Sequence, residues 1–257
     1  MNYLDALILG IVQGLTEFLP VSSSGHLVLA QYFLGVKMPG VNLEVLVHVG
    51  TLVSVLIYFR ARILRLIKSL FNREMKAEQR IVFYLIIGTI PAGVFGLLFK
   101  KLFEEAFSCP LEASVALLVT GCILLLPRAV RKGEKELTAK TSLIMGFGQA
   151  VAILPGVSRS GSTIVAGMLS GVKPSEAAEF SFLLSIPAIL GAVVLEWKEL
   201  LSIPSELAGH YTVAAVVSCV VGLFSIYAVL STVKKGKFEY FAYYCFAIGL
   251  IGLYHFI

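Results

Sequence analysis

The sequence predicts an all-α integral membrane protein, in which six transmembrane helices and two re-entrant helical hairpins form an inverted repeat. The first observation behind this prediction is composition: the 257 residues are 58% hydrophobic and 14% charged, where soluble domains have about 45–50% and about 25%. The second is a polar motif that occurs twice at a constant offset of 136, so that Gly10 corresponds to Gly146 and Ser24 to Ser160. A repeated apolar segment interrupted by glycine and proline is typical of a binding site near the middle of a membrane.

Six apolar stretches are long enough to cross a hydrocarbon core about 30 Å thick. They lie at 42–59, 81–99, 111–127, 177–195, 211–233 and 238–257. The loops after the first, third and fifth stretch carry most of the lysine and arginine, and such loops stay on the cytoplasmic side. We therefore expect a multi-pass protein of the cytoplasmic (inner) membrane with both termini outside. The net charge of +5 belongs to these loops, and no stripe of basic and aromatic residues indicates a nucleic-acid partner.

The two copies of the motif lie in segments that are too short to span. The apolar run 4–19 stops at Pro20, and the next run, 27–36, makes only about 15 Å of helix. We therefore expect residues 1–36 to form a hairpin that enters the membrane from outside and returns. Residues 139–171 would form its partner, entering from inside.

The chain is expected to form one membrane domain, 1–257, made of a first repeat, 1–130, and a second repeat, 137–257. Each repeat would contain one hairpin and three spans. Because three is odd, the repeats have opposite orientations and the hairpin tips meet within the membrane. Non-helical backbone at that depth must be buried in protein or line a wet cavity. The cavity would open outward.

The two tips bring polar side chains into the membrane. They are Gln13, Glu17, Ser22, Ser23, Ser24 and His26 in the first tip, and Gln149, Ser158, Arg159, Ser160, Ser162 and Thr163 in the second. A charge at mid-bilayer costs about 2.5–3.5 kcal/mol on insertion scales, so we expect Glu17 and Arg159 to pair across the repeats. Serine N-caps and helix dipoles make each tip an anion site. Gly25 and Gly161 admit a ligand close to the backbone, and the fork of Arg159 suits phosphate oxygens.

These features favour a phosphate group in a lipid-accessible cavity and leave open whether it is cleaved. Cleavage needs a nucleophile, and Ser23 and His26 are three residues apart, on one helix face. Glu17 is suited to orient or deprotonate either one, or to hold a divalent cation, Mg²⁺ or Ca²⁺, with Gln13 and phosphate oxygens. Two other interpretations fit: serine caps with a structural histidine, and a transporter of lipid phosphates or anions, which needs no reactive side chain.

These motifs resemble the signatures of the undecaprenyl pyrophosphate phosphatase family of the bacitracin-resistance type. The first signature, (E/Q)-x-x-x-E followed by Pro-x-Ser-Ser-(Ser/Thr)-Gly-His, is similar to residues 13–17 and 20–26. The second, Pro-Gly-x-Ser-Arg-Ser-Gly-x-Thr, is similar to residues 155–163. The resemblance covers essentially the whole chain. It implies a membrane hydrolase that removes the terminal phosphate of a polyprenyl diphosphate, which leaves the monophosphate carrier lipid of cell-wall synthesis.

The resemblance implies catalytic roles for Glu17, Ser23, His26 and Arg159, with the nucleophile open between Ser23, His26 and an activated water. Together with the tip chemistry, the expected substrate-binding residues are Gln13, Ser22, Ser24, Gly25, Gln149, Ser158, Ser160, Gly161 and Thr163. Gln13 stands where the family often has glutamate, which removes one charge from a metal site. The expected partners are the polyprenyl diphosphate, membrane lipid and, as an assembly, a homodimer.

Three polar positions outside the tips are interpreted as structural. Glu44 and His48, four residues apart at the outer end of the first span, favour a structural pair over a substrate-facing one. Glu179 favours a helix N-terminal carboxylate, or a salt bridge that supports the second hairpin, over a catalytic role. The stretch 60–73 alternates basic and apolar residues at helical spacing, which predicts a helix along the inner headgroups.

Overall fold

The computed structural model describes residues 1–36, 42–98, 109–130, 133–154, 156–197, 200 and 203–257. Over these residues the protein contains eleven α-helices, a 3-10 turn and no strand, so the predicted all-α class is confirmed. The helices are α1 (Tyr3–Thr16), α2 (Ser23–Leu34), α3 (Asn42–Tyr58), α4 (Arg60–Ser69), α5 (Lys76–Leu98), α6 (Pro110–Leu125, continued by the 3-10 turn Leu126–Ala129), α7 (Ala139–Val151), α8 (Arg159–Leu169), α9 (Pro174–Leu195), α10 (Ser205–Lys234) and α11 (Tyr240–Phe256). An isolated bridge joins Lys135 to Val172.

Four of these helices are long and apolar enough to cross a membrane, namely α5, α6 with its 3-10 turn, α9 and α10. The pair α3 and α4 passes the same test only as one span, and it is bent by 78° between the two helices. The apolar helices α1 and α11 are shorter, with 14 and 17 residues. The chain is therefore a multi-pass membrane protein with four or five spans by length and composition. Residue 99, Lys100 and Lys101, at the predicted end of the second span, lie outside the described residues.

The bend of 78° turns α4 away from the axis of α3. The predicted stretch 60–73 therefore contains a separate helix, and its place along the headgroups stays a prediction. Leu66 and Ser69 are the buried residues of α4. Arg62 forms an ion pair with Glu179 of α9, with its Nε 3.5 Å from Oε1. This salt bridge therefore ties α4 to α9. The expectation that a salt bridge of Glu179 supports the second hairpin is corrected accordingly.

Small residues pack the first limb of each hairpin against a long helix. A Cβ on Gly10 of α1 would collide with the carbonyl oxygen of Ala214 in α10, and a Cβ on Gly146 of α7 would collide with that of Gly88 in α5. Close backbone contact at glycine is a usual source of helix association in membranes, where apolar burial alone gives no preference for protein over lipid. Gly10 and Gly146 are equivalent residues of the repeat, so both hairpins are anchored in the same way.

Serine hydroxyls also bond neighbouring helices to each other. Ser142 of α7 donates to the carbonyl oxygen of Tyr84 in α5 at 2.5 Å. Ser218 of α10 donates to the carbonyl oxygen of Val47 in α3 at 2.9 Å, and Ser54 of α3 donates to that of Cys219 at 2.8 Å. Through these bonds α5 holds α7, the first limb of the second hairpin, and α10 holds α3, which lies outside both hairpins.

Candidate active site

The two hairpin tips are in direct contact. The backbone N–H of Gly156 in the second tip donates to Oγ of Ser24 in the first at 3.1 Å. In the opposite direction, Oγ of Ser160 donates to the carbonyl oxygen of Leu19 at 3.2 Å. Ser24 and Ser160 are equivalent residues of the repeat, so each tip uses the same serine to bind the other.

The N-terminus of the second limb of each hairpin is capped by the predicted serine. Oγ of Ser22 accepts from the N–H of Gly25 at 3.3 Å, and Oγ of Ser158 accepts from the N–H of Gly161 at 3.0 Å. Such caps satisfy one of the N–H groups that a helix start leaves unpaired. The caps orient the first turns of α2 and α8, from which Ser23 and Arg159 extend.

Glu17 is the centre of the site. Only 6% of this residue is exposed, and it lies at the C-terminal end of α1. Its Oε1 accepts from Nη2 of Arg159 at 2.5 Å, and its Oε2 accepts from Oγ of Ser23 at 2.7 Å. Nε2 of Gln13 also donates to Oε2, at 3.1 Å. A buried carboxylate is tolerated only when it is paired and hydrogen-bonded, and here both hairpins supply the partners.

Arg159 crosses from the second tip to the first, which is the pairing that the sequence predicts. Its Nη1 donates to the carbonyl oxygen of Ser181 in α9 at 3.3 Å. The side chain keeps 17% of its surface exposed, compared with 5% for Glu17. Arg159 is therefore the accessible half of the ion pair, with donors left to meet an anion.

His48 of α3 completes the surroundings of Glu17, and sequence reasoning assigned it a different partner. Its Nε2 lies 3.3 Å from Oε2 of Glu17. Its Nδ1 donates to the backbone oxygen of Glu44 at 2.6 Å, while the carboxylate of Glu44 accepts from Gln31 at 2.8 Å. The expected structural pair of Glu44 and His48 is therefore present only through the backbone oxygen of Glu44, and the two side chains have different partners. The signal that was present is a histidine within a predicted span, because polar residues there tend to face a functional cavity.

The structure separates His26 from the other predicted catalytic residues. Its Nδ1 donates to the backbone oxygen of Ser22 at 2.7 Å, and its Nε2 accepts from the hydroxyl of Tyr244 in α11 at 3.0 Å. The two rings stack with centroids 5.6 Å apart and an interplanar angle of 8°. Among the described residues, Ser23 bonds to Glu17 and His26 bonds to α11, although both belong to the first turn of α2.

Ser22 has an unusual backbone conformation that precedes this turn. Its φ of 69° makes it the one non-glycine residue with positive φ in the described part of the chain. The equivalent Ser158 has an ordinary φ of −70°. Positive φ costs energy in residues with a Cβ and is concentrated at functional sites. This difference in backbone conformation between the two tips therefore occurs in the turn that carries Ser23 and His26.

Most of the other predicted binding residues use their polar groups within the protein. Oγ of Thr163 donates within its own helix and lies very close to Oγ of Ser181. A Cβ on Gly25 would come within 3.4 Å of Gly156, and one on Gly161 within 3.1 Å of Leu124. The missing Cβ at these glycines therefore leaves room for neighbouring residues of the protein. Pro155 lies outside the described residues.

Three buried polar side chains of the hairpins retain atoms with no hydrogen-bond partner among the described residues. These atoms are Oε1 of Gln13, both amide atoms of Gln149, and Oγ of Ser162. A buried polar atom without a partner is costly. Gln13 and Gln149 are equivalent in the repeat, so both first limbs present an amide group that is available to a ligand or water.

The residues around Glu17 fit a hard cation only together with oxygen atoms from a ligand. Within the described part of the chain, no three His, Cys, Asp or Glu side chains gather as a metal site. Glu17 supplies a carboxylate, and the adjacent Oε1 of Gln13 is a buried oxygen without a partner. Mg²⁺ and Ca²⁺ prefer oxygen ligands, and Mg²⁺ commonly takes one or two carboxylates with substrate phosphates.

Comparison with known proteins places the chain among bacitracin-resistance proteins. The family model described as bacitracin resistance protein BacA matches residues 6–251. The chain is 42% identical to the undecaprenyl-diphosphatase of Methanobrevibacter smithii, with 98% of this chain and 96% of the relative covered. It is 40% identical to undecaprenyl-diphosphatase 1 of Shouchella clausii, with 98% and 95% covered. It is also 42% identical to the undecaprenyl-diphosphatase of Carboxydothermus hydrogenoformans, with 97% and 96% covered.

Proposed function

Because the chain belongs to the bacitracin resistance protein BacA family, we propose that it is a membrane phosphatase that hydrolyses undecaprenyl diphosphate to the monophosphate carrier lipid of cell-wall synthesis. The observation that carries the proposal is the meeting of Glu17, Ser23 and Arg159 at the contact of the two tips. These groups supply a proton acceptor, a hydroxyl nucleophile and an anion-binding cation, which are the parts that phosphoryl transfer needs.

Substrate binding begins at Arg159. Its partly exposed guanidinium binds oxygens of the diphosphate in a bidentate manner. As the guanidinium turns toward the phosphate, it weakens its ion pair with Glu17. The carboxylate then becomes a better proton acceptor, because a neighbouring cation no longer stabilises its charged form. Arriving substrate thus activates the base.

Ser23 is the nucleophile in this mechanism. Its hydroxyl already donates to Glu17 at 2.7 Å, so the proton moves to the carboxylate as Oγ bonds to the terminal phosphorus. The bond between that phosphorus and the bridging oxygen breaks, and undecaprenyl monophosphate leaves. Water then attacks the phosphorus of the phosphoserine, and the bond between phosphorus and Oγ breaks as Glu17 returns the proton to Oγ. Inorganic phosphate leaves, and the protons of the attacking water go with it or to solvent. His26 remains an alternative nucleophile, but its ring nitrogens contact Ser22 and Tyr244.

A divalent cation would be held by Glu17, by Oε1 of Gln13 and by substrate phosphate oxygens. When bound, it supplies charge neutralisation on the diphosphate, whose leaving group otherwise develops negative charge. Holding the cation is the alternative to the base role of Glu17, because a bound cation stabilises the charged carboxylate; Arg159 and Ser23 keep the roles given above. The N-terminal ends of α2 and α8 add the positive ends of two helix dipoles at the tips.

We further propose the full topology of six spans, with α3 and α11 included, and two re-entrant hairpins in an inverted repeat of residues 1–130 and 137–257. The equivalent anchoring of Gly10 and Gly146, and the reciprocal bonds of Ser24 and Ser160, support this arrangement. The protein would lie in the cytoplasmic membrane with both termini outside and the site open outward. Reporter fusions at the two termini test the orientation. The homodimer stays a prediction, which light scattering of the solubilised protein tests.

Hydrolysis is tested on the purified protein. Wild type should release phosphate from undecaprenyl diphosphate in detergent, with a lower rate in the presence of a chelator. Arg159→Ala should lower kcat/KM by about 10³-fold, as expected for the loss of a charge-stabilising group. Near-normal turnover of that variant would contradict the assignment of Arg159.

A transporter remains the second candidate, because two hairpins that meet at their tips also occur in secondary transporters. The same preparation in liposomes separates the two functions. Movement of a labelled lipid phosphate without hydrolysis would support transport, whereas phosphate release supports the enzyme.

A further inference from the structure

We propose that His48 is a positioning residue for the proposed phosphatase reaction, and that it holds Oε2 of Glu17 toward Ser23. This inference rests on the proposed function. The two carboxylate oxygens of Glu17 have different partners. Oε1 faces Arg159, while Oε2 accepts from Ser23 and lies 3.3 Å from Nε2 of His48. Oε2 is the atom that receives the serine proton, so its direction decides whether Ser23 is activated.

His48 contacts this oxygen from outside the first hairpin. The other donors to Oε2 are Ser23 and Gln13, which belong to the hairpin that carries Glu17. His48 belongs to α3, which is fixed on α10 by the bond from Ser218 to the carbonyl oxygen of Val47, the residue next to His48. A contact from a separately anchored helix restricts the carboxylate in a way that the hairpin cannot provide by itself.

The ring of His48 is itself held in one orientation. Its Nδ1 donates to the backbone oxygen of Glu44 at 2.6 Å, one turn earlier in α3. This bond places Nε2 at 3.3 Å from Oε2 of Glu17, so that a proton on Nε2 faces the carboxylate. In many active sites, a side chain that contacts a reacting group is itself held in orientation by a second hydrogen bond. When Arg159 turns to the phosphate, His48 keeps the carboxylate in place.

Two substitutions distinguish positioning from a structural role. The amide nitrogen of glutamine occupies roughly the place of Nε2 and can still donate to Glu17, whereas that of asparagine corresponds to Nδ1 and cannot reach it. We expect His48→Asn to lower kcat with undecaprenyl diphosphate by about 10- to 100-fold, the range for loss of a hydrogen bond to a charged group, with KM within about threefold. His48→Gln should keep kcat within about threefold of wild type.

The matched controls are His210→Asn and His210→Gln. His210 makes the same bond from Nδ1 to the carbonyl oxygen of a residue four earlier, Glu206, but lies against Tyr3 and away from the tips. Both control variants should keep wild-type kcat. Every variant must elute as wild type does in size-exclusion chromatography, and His48→Leu replaces His48→Asn if the latter does not fold.

A second measurement uses a Glu17→Gln background. Because His48 acts through Glu17, adding His48→Asn there should lower the residual kcat by less than about twofold. Equal losses in His48→Asn and His48→Gln, no loss in either, or a full further loss in the Glu17→Gln background would overturn the proposal. An inactive wild type would instead refute the proposed function, so the two failures are distinguishable.

Discussion

The two hairpin tips have the same construction and carry different chemistry. Equivalent residues that are identical include Gln13 and Gln149, Ser22 and Ser158, Ser24 and Ser160, and Gly25 and Gly161. Three positions that carry the candidate chemistry differ, because the offset of 136 places Ile153 at Glu17, Arg159 at Ser23 and Ser162 at His26. The shared residues cap the helices and join the tips. In the proposed mechanism, these differing residues supply acid–base chemistry on one side and positive charge on the other.

This comparison teaches that neither repeat contains a site by itself. Glu17 without Arg159 would be a buried carboxylate with no cation from the second tip, and Arg159 without Glu17 would be an unpaired charge within the membrane. Either state costs several kcal/mol. Pairing across the tips therefore serves both stability and the position of the reacting groups.

The largest expected difference is between Ser23 and His26. Ser23→Ala should lower kcat by about 10³-fold or more, because it removes the nucleophile, whereas His26→Ala should lower it by about 10- to 100-fold through the loss of its contacts to Ser22 and Tyr244. The measurement is steady-state hydrolysis of undecaprenyl diphosphate, with Ser205→Ala at the exposed start of α10 as the control. A fully active Ser23→Ala variant beside an inactive His26→Ala variant would reverse the assignment of the nucleophile.

A smaller effect tests the shared scaffold. Gly10→Ala and Gly146→Ala should each lower the free energy of unfolding by about 1–3 kcal/mol, since each new Cβ collides with a carbonyl oxygen of a neighbouring helix. Gly93→Ala in α5 is the control, because a Cβ there meets nothing within 4 Å. It should stabilise the protein by about 0.5–1 kcal/mol through helix propensity. Thermal denaturation in detergent measures all three, and equal shifts for the three variants would disprove the equivalent anchoring.

The smallest expected effect concerns the capping serines. Glycine accepts positive φ without strain, so Ser22→Gly loses a cap but relieves the φ of 69°, whereas Ser158→Gly only loses a cap. We expect Ser22→Gly to be less destabilising than Ser158→Gly by about 1 kcal/mol. The difference between their melting temperatures checks this, and the opposite order would show that the turn at Ser22 is not strained.

The sequence was sufficient to predict the features that arise from the repeated motif or from charge. The offset of 136 located both tips, and the cost of a charge in a membrane predicted the pairing of Glu17 and Arg159. Helix length and composition support four or five of the six predicted spans. The helices α3 and α11 have 17 residues each, and each alone is just too short to count as a span by that length criterion.

The sequence did not predict the partners of side chains that can bond either within their own helix or to another helix. His48 was assigned to Glu44 because they are four residues apart, yet the ring turns to Glu17 on another helix. Ser23 and His26 share a helix face, yet His26 bonds to Tyr244, 218 positions away. Spacing along one helix defines a face, and only the packing of α3, α10 and α11 decides what that face meets.

The central claim is that Glu17 and Arg159, from opposite hairpins, act as one unit on the diphosphate. The most direct test is a double-mutant cycle on kcat/KM with Glu17→Gln, Arg159→Gln and the double variant. We predict that each single substitution lowers kcat/KM by about 10³-fold and that the double variant lies within about tenfold of the weaker single variant. Losses that multiply, so that the double variant is about 10⁶-fold below wild type, would contradict the account.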